Sequence, residues 1–303
     1  MRIVVTGATG TIGPALVKEL EARGDEVVAL VRDPAKGRRL LGVESVAWTH
    51  PKLEVAPREA IEGADAVVNL LGEPVAQRWT EEAKHEIHSS RVLGTRNLVE
   101  GIALADRRPK VLVSGSATGW YGARGDEKVD ETTPAARDYL AQVTVDWEHE
   151  ARRAEDLGLR VVLTRTGVVL SPDGGALAKM LPPFKLGVGG PVAGGKQYMP
   201  WIHVDDVVGA ILFSIDNDEA SGPINLSAPT PVTNAEFSKA LGRVLKRPAF
   251  APVPAFAIKA LYGEMSEIVT TGARAVPRRL EELGYTFRQP ELEAALRAAL
   301  NRT

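Results

Sequence analysis

The chain has 303 residues, of which 44% are apolar and 25% charged, a composition that argues against a disordered or low-complexity protein. Its formal net charge of −2 provides no basic field for a nucleic-acid backbone, so we expect no nucleic-acid partner. The absence of cysteine excludes disulfides, iron–sulfur clusters and thiolate zinc sites. No apolar run reaches the ~20 residues of a membrane-spanning helix, and no secretory signal is recognisable. We therefore predict no membrane partner and a cytoplasmic location.

Strands and helices alternate along the first two thirds of the chain. Residues 3–5 are a β-branched run typical of a strand buried on both faces, and Ile12, Leu16 and Leu20 follow at helical spacing. Further strands are predicted at 26–31, 45–48, 66–71, 110–114, 160–164 and 224–226, and further helices at 80–105 and 139–157. This order predicts an α/β fold, a Rossmann-type doubly wound parallel sheet.

The composition of the sequence changes after Leu170. Proline and glycine interrupt residues 170–198, which predicts a loop-rich insertion, and helical stretches follow at 234–245, 255–264 and 291–300. We predict a nucleotide-binding domain over 1–170, completed by a returning strand near 223–227. Residues 171–303 then form a smaller, mostly helical substrate lobe that includes a helical C-terminal domain at 248–303.

A glycine-rich turn lies between the first strand and its helix, with the sequence Thr6-Gly7-Ala8-Thr9-Gly10-Thr11-Ile12-Gly13. A side chain at the first glycine would block the turn, one at the second would keep a diphosphate away, and one at the third would obstruct helix packing. The pattern predicts that Gly7, Thr9, Gly10, Thr11, Ile12 and Gly13 bind a dinucleotide at the helix N-terminus. The alternative is that the glycines serve packing alone.

The end of the second predicted strand bears on which nucleotide binds. An NAD site commonly has an acid there for the ribose 2′-hydroxyl, whereas this sequence has Arg32 followed by Asp33. A guanidinium pairs with a 2′-phosphate through bidentate hydrogen bonds, so NADP(H) is favoured over NAD(H). In the alternative interpretation Arg32 is a solvated loop residue and Asp33 is the ribose acid.

The histidines do not form a recognisable metal site. His85 and His88 are three residues apart on a predicted helix without a third ligand at a known spacing, which favours a solvated helix face. His203, Asp205 and Asp206 are more consistent with an aspartate that caps the following helix. We predict no metal.

Several motifs together resemble the extended short-chain dehydrogenase/reductases, in particular the epimerase-family subgroup of NAD(P)-dependent epimerase/dehydratase-like proteins with a distinct C-terminal domain. They are the glycine turn at 6–13, Asn69-Leu70-Leu71-Gly72-Glu73-Pro74, Arg78-Trp79-Thr80, the stretch from Ser114 to Gly122, 165–170, 174–179, 181–190 and 200–206. The resemblance covers essentially the whole chain. It implies a dinucleotide on the N-terminal sheet and a substrate in the cleft beneath the C-terminal lobe.

The resemblance also implies roles for single residues. Asn69, Leu71 and Gly72 match a segment that lines the cofactor. Ser116 matches the serine that hydrogen-bonds the reacting carbonyl or alcohol, and Tyr139 matches the tyrosine that moves a proton during hydride transfer.

The sequence departs from the family pattern at the lysine of Tyr-x-x-x-Lys, where Val143 stands. Without that ammonium group Tyr139 is a poor base near neutrality. Lys179 would help if a lid brought it in, and in the alternative interpretation Tyr139 is a structural aromatic residue. Tyr121 is a competing phenol near Ser116, with packing beside Trp120 as its alternative role.

Other polar residues are assigned to the crevice or to surface ion pairs. Glu73, Arg91 and Glu148 are predicted to border the cofactor. The predicted substrate contacts are Trp120, Tyr121 and Lys179.

Two functions follow from these assignments. The first is an NADP(H)-binding oxidoreductase or epimerase that transfers hydride at a secondary alcohol or carbonyl of a small molecule, such as a sugar or sugar nucleotide. The second is an NADPH-binding sensor or interaction protein with little or no catalysis, which Val143 supports. The long helices at 80–105 and 139–157 resemble those that build dimeric contacts in the wider superfamily, which suggests a homodimer.

Overall fold

A computed structural model describes residues 1–171 and 174–301. Its strands, in chain order, are β1 (Arg2–Thr6), β2 (Glu26–Val31), β3 (Glu44–Ala47), β4 (Ala66–Asn69), β5 (Val111–Ala117), β6 (Lys128–Val129), β7 (Arg160–Thr166), β8 (Val168–Leu170), β9 (Tyr198–Met199), β10 (Trp201–His203), β11 (Gly222–Leu226), β12 (Val232–Thr233) and β13 (Arg274–Ala275). Its helices are α1 (Gly13–Ala22), α2 (Pro34–Leu41), α3 (Arg58–Ile61), α4 (Glu81–Leu104), α5 (Tyr139–Arg152), α6 (Gly175–Lys185), α7 (Val204–Asp216), α8 (Asn234–Leu245), α9 (Ala255–Tyr262), α10 (Glu267–Thr270), α11 (Arg278–Glu282) and α12 (Leu292–Ala299).

The described residues form a seven-stranded central sheet in the order β11-β7-β5-β4-β1-β2-β3. Every pair in it is parallel, because each strand returns through a helix or a long crossover. The order reverses between β1 and β4. At such a switch point the connections leave on opposite faces and open a crevice at the carboxyl ends of the strands. The predicted α/β Rossmann-type sheet is confirmed.

Both faces of the sheet are buried, which explains why its strands are runs of valine and isoleucine rather than alternating patterns. Leu16 and Leu20 of α1 and Val207 and Ile211 of α7 pack on one face. The other face is covered by α3, α4 and α5, with apolar contacts such as those of Leu98. Each fully buried side chain of this size contributes about 1.5–3 kcal/mol relative to an exposed one.

A third apolar core lies in the C-terminal half, where Phe237 and Leu241 of α8 pack with Trp201 and Leu296. This region is also joined to the sheet, since β13 pairs with β6 and Leu280 belongs to the core beneath α1 and α7. The division into 1–170 and 171–303 stays a prediction.

Two local expectations were wrong. The loop-rich stretch 170–198 contains helix α6, because its buried Leu177, Leu181 and Phe184 recur at helical spacing, a pattern that the prolines obscure in the sequence. The cap of α7 is not an aspartate. His203 occupies that position, and its Nδ1 accepts from the Asp205 N–H at 3.2 Å.

Candidate active site and nucleotide crevice

The three glycines of the β1–α1 turn have different surroundings. Gly7 has a φ of +66°, and a Cβ on it would lie 2.3 Å from the Leu70 carbonyl oxygen. A Cβ on Gly13 would lie 2.0 Å from the Ala8 carbonyl oxygen, so both positions are required by the fold itself. At Gly10 the nearest atom to such a Cβ is the Gly7 carbonyl oxygen at 3.2 Å, and the residue is exposed. The missing side chain at Gly10 therefore leaves room above the turn.

The N-terminus of α1 faces that space without a side-chain cap. Its cap residue, Ile12, makes no side-chain hydrogen bond, and the first turn carries no acidic residue. Thr9 and Thr11 are exposed beside it. The free N–H groups and the positive end of the helix dipole form a site suited to an anion. The start of α6 lies across the turn, since a Cβ on Gly174 would be 3.3 Å from Thr11 Oγ1.

The two candidate ribose-binding residues at the end of β2 have different environments. The Asp33 carboxylate caps α2 by accepting from the Lys36 N–H at 3.0 Å. Arg32 is exposed beside it. The acid is thus already used within the protein, and the guanidinium faces solvent at the carboxyl end of the strand.

Asn69, at the end of β4, is fully buried in a polar network. Its Oδ1 accepts from Thr6 Oγ1 at 2.8 Å, and its Nδ2 donates to Thr95 and Ser114 at 2.9 and 3.1 Å. The side chain therefore joins the end of β1, the middle of β5 and helix α4 instead of pointing outward. Leu71 follows it, with its N–H 3.4 Å from Asn69 Oδ1.

Arg91 of α4 lies against the segment after β4. Its Nη1 donates to the carbonyl oxygens of Glu73 and Ile87 at 2.9 and 3.0 Å, and its guanidinium lies 5.2 Å from the Trp147 ring centre. A Cβ on Gly72 would be 2.8 Å from the guanidinium carbon, so glycine makes room for this side chain. Burial lowers the pKa of Arg91 to about 10.

Ser116, at the carboxyl end of β5, belongs to a buried ionic cluster. Its hydroxyl donates to Glu148 Oε1 at 2.7 Å, and Arg165 of β7 donates to both carboxylate oxygens at 2.8 and 3.0 Å. The Glu148 and Arg165 side chains are only 3% and 2% exposed. Such a bidentate pair holds both side chains in one geometry. Glu148 therefore orients the serine that the sequence singled out.

The predicted substrate residues Trp120 and Tyr121 adjoin the same cluster. The Arg165 guanidinium lies 3.7 Å from the Trp120 ring centre. Tyr121 is fully buried, its hydroxyl donates to Asn225 Oδ1 at 2.7 Å, and burial raises its pKa to about 12. Tyr121 is thus a neutral hydrogen-bonding group inside the protein at neutral pH.

Tyr139 lies elsewhere. Its hydroxyl donates to the Lys84 carbonyl oxygen at 2.7 Å, its ring packs edge-on against Trp79 at 5.1 Å, and burial raises its pKa. Ser116 instead contacts Glu148. At 1.5 Å per residue, Glu148 lies about 13 Å along α5 from Tyr139. The structure does not bring Ser116 and Tyr139 together.

The surroundings of Val143 explain why no lysine stands at this position. Val143 is buried with Ile87 and Met265 in a small apolar cluster between α4 and its neighbours, where an ammonium group would be desolvated at high cost. Lys179 does not approach Tyr139 closely enough to bond it. Its Nζ donates to the Ala76 carbonyl oxygen, which ties α6 to the loop after β4.

Sequence reasoning assigned no role to Arg165 and Asn225. Both stand at the carboxyl ends of buried strands, and they pair directly in the sheet register. A charged residue at the end of an otherwise apolar strand was the available signal. The described residues contain no group of three His, Asp or Glu side chains arranged to hold a metal, and none of their helices is long and apolar enough to cross a membrane.

Comparison with known proteins identifies the family. Residues 3–227 match the model of the NAD dependent epimerase/dehydratase family. The chain belongs to this family. Residues 253–299 match a second model, described as a domain of unknown function (DUF1731), as expected for a distinct C-terminal domain.

Full-length relatives carry the same family name. The chain is 42% identical over 302 residues to the chloroplastic homologue of epimerase family protein SDR39U1 from Arabidopsis thaliana, covering 99% of this chain and 87% of that protein. It is 35% identical over 297 residues to epimerase family protein YfhF from Bacillus subtilis, covering 98% and 97%.

Solved structures share the fold. Human epimerase family protein SDR39U1 (isoform 2), crystallised with NADPH, superposes with a TM-score of 0.90 at 36% identity, covering 99% of this chain and 100% of that one. A nucleoside-diphosphate sugar epimerase from Corynebacterium glutamicum gives a TM-score of 0.78 at 34% identity, covering 99% and 58%. This family member therefore shares the architecture of a protein that binds NADPH.

Proposed function

We propose that this protein binds NADP(H) in the β1–α1 crevice and transfers hydride from NADPH to a carbonyl of a small molecule, or from a secondary alcohol to NADP⁺. The observation that carries the proposal is the open space at Gly10 in front of an uncapped helix N-terminus. A diphosphate suits that space because it is anionic and needs close backbone approach. The NADPH in the human relative supports the same nucleotide.

The preference for NADPH over NADH is proposed from the end of β2. Arg32 is available there for a 2′-phosphate, whereas Asp33 is engaged as a helix cap. A 2′-hydroxyl offers no charge for Arg32 to pair with, so the free energy of binding differs between the two nucleotides.

Ser116 is proposed as the catalytic hydrogen-bonding group. It stands at the carboxyl end of β5, where ligands bind in open α/β sheets, and its hydroxyl is oriented by Glu148. With Tyr139 bonded to a main-chain carbonyl, we assign Tyr139 to packing. NADPH, when bound, would supply the hydride to the carbonyl carbon, Ser116 would hydrogen-bond the carbonyl oxygen, and the alkoxide so formed would take its proton from water.

The second candidate is an NADPH-binding protein without hydride transfer. The observations in its favour are the buried Val143 in place of lysine and the raised pKa of Tyr139. Both leave the crevice without the usual tyrosine–lysine base.

The decisive experiment measures NADPH binding by fluorescence titration of wild type and Gly10→Ala. A methyl group at Gly10 would meet the Gly7 carbonyl oxygen at 3.2 Å, so the variant should fold with only a small fall in Tm and bind NADPH at least tenfold more weakly, about 1.4 kcal/mol. Gly94→Ala, within α4, is the matched control. Equal affinity in wild type and Gly10→Ala would refute the proposed crevice.

Turnover then separates the two functions. Carbonyl compounds are screened for oxidation of bound NADPH at the reduced-nicotinamide absorbance, with Ser116→Ala as the comparison. Turnover that falls in this variant supports the oxidoreductase. Binding without turnover across the screen supports the second candidate.

We also keep two predictions about the whole protein. A cytoplasmic location is proposed from the sequence, although one relative is named chloroplastic. A homodimer through α4 and α5 is proposed from the family resemblance, and sedimentation of the purified protein tests it.

A further inference from the structure

Arg91 carries a charge that the described protein does not balance. Arg91 is half-buried and forms no ion pair among the described residues. Glu73 influences it only through the longer-range field and a main-chain oxygen. Burying an unpaired cation is costly unless another anion compensates.

A purely structural role does not require this charge. The hydrogen bonds to Glu73 and Ile87 use one terminal nitrogen, and Ser90 already holds the same loop by accepting from the Glu73 N–H at 3.0 Å. The remaining guanidinium donors have no hydrogen-bond acceptor among the described residues. They form a fork suited to two oxygens of a carboxylate or phosphate.

Arg91 lies close to the glycine turn, because the 70–72 segment that it contacts at Gly72 also backs Gly7 through the Leu70 carbonyl, but it approaches the crevice from the side of α4. The α1 N-terminus lies on one face of the sheet, whereas α4 and α5 cover the other. Arg91 contacts Trp147, which in turn lies against the backbone of Gly115 in β5. The guanidinium is therefore beside the carboxyl ends of β4 and β5. The Trp147 ring that it contacts lies against Gly115, the residue before Ser116.

We propose that Arg91 binds an anionic group of the substrate, a carboxylate or a phosphate, next to Ser116. The inference rests on the proposed function, because it assigns the substrate of that reaction to acidic carbonyl or hydroxyl compounds. Gly72 admits the guanidinium, which lies against the Trp147 ring. A neutral substrate would leave this half-buried charge without an anionic partner.

Inorganic phosphate is the probe for the test. Calorimetric titration of NADPH-saturated protein should give a phosphate affinity that falls at least tenfold in Arg91→Met. Arg91→Lys, which keeps the charge, should retain part of it. Arg108→Met is the matched control, because Arg108 is exposed and lies near the opposite edge of the sheet.

Each outcome decides the proposal. Equal phosphate affinity in wild type and Arg91→Met overturns it and leaves Arg91 a clamp of the 72–73 turn. Phosphate binding that NADPH saturation abolishes also overturns it, because Arg91 would then hold the nucleotide's own phosphates. If NADPH does not bind at all, the proposed function fails, while titration of the nucleotide-free protein still reports on Arg91. If Arg91→Met does not fold, Arg91→Lys decides, since weakened phosphate binding at unchanged Tm cannot come from a structural role.

Discussion

Arg32 is a single exposed side chain to which we assign the choice of nucleotide. We predict that Arg32→Glu weakens NADPH binding by about tenfold or more, because a charge-assisted hydrogen bond contributes about 1.5–3 kcal/mol and the variant adds repulsion. NADH affinity should change less than threefold. Parallel titrations with both nucleotides measure the difference, with Arg108→Glu as a charge-matched control. Equal losses for both nucleotides would contradict the 2′-phosphate assignment.

Loss of the hydroxyl is predicted to lower stability at Tyr139 and turnover at Ser116. Tyr139→Phe removes the bond to the Lys84 carbonyl and should lower the free energy of unfolding by about 1 kcal/mol with little change in kcat. Ser116→Ala should lower kcat by about a hundredfold, because the hydroxyl hydrogen that Glu148 accepts in the structure would be given to the developing oxyanion when substrate binds, and the variant lacks it. Denaturant unfolding and steady-state kinetics check both, and the exposed Tyr262→Phe is the control. A large kcat loss in Tyr139→Phe would restore its catalytic role.

At the scale of elements, the start of α7 depends on the protonation of a histidine. Burial lowers the pKa of His203, outweighing the opposite effects of Asp205 and Asp206. As the pH falls, His203 therefore takes up a proton at a higher pH in the unfolded chain than in the folded protein. This contribution to stability is fully present above about pH 6.5 and is lost as the pH falls through that value toward the lower folded pKa.

His203→Asn should remove that pH dependence and keep the cap, because asparagine is a strong N-cap residue. Between pH 7.5 and pH 5 we expect the Tm of wild type to fall further than that of the variant, because only wild type carries the histidine whose pKa burial lowers in the folded state. Thermal unfolding at both pH values measures it. An equal fall in Tm for wild type and His203→Asn would show that His203 does not titrate in this range.

The elements that sequence reasoning recovered are those with local signals. The β1–α1 turn was readable because glycine spacing reflects steric limits within eight residues, and β2 was located because its residues form one apolar run. Helix α6 was missed because its two prolines mask its periodicity. The ion pair of Glu148 and Arg165 depends on how α5 packs on β7, and no local pattern encodes that packing. The same packing turns Tyr139 toward α4, which motif matching could not reveal.

For the whole molecule, one buried carboxylate joins the sheet to the C-terminal region. Asp206 of α7 accepts from the N–H groups of Arg288 and Gln289 at 2.6 and 2.9 Å and from the Tyr285 hydroxyl at 3.2 Å. Asp206→Asn should cost about 2 kcal/mol, since hydrogen bonds to charged groups contribute about 1.5–3 kcal/mol. Hydrogen exchange should accelerate over residues 285–289, whereas Asp205→Asn, at an exposed position, should leave it unchanged. Unaltered exchange in Asp206→Asn would contradict this role.

Leu280, Tyr285 and Phe287 complete the apolar layer against α1 and α7, although they come from the last tenth of the chain. During synthesis the N-terminal residues emerge first, so α1 is made more than 250 residues before the side chains that cover it. Its apolar outer surface is uncovered in the nascent protein during that interval, and chaperones can bind it there.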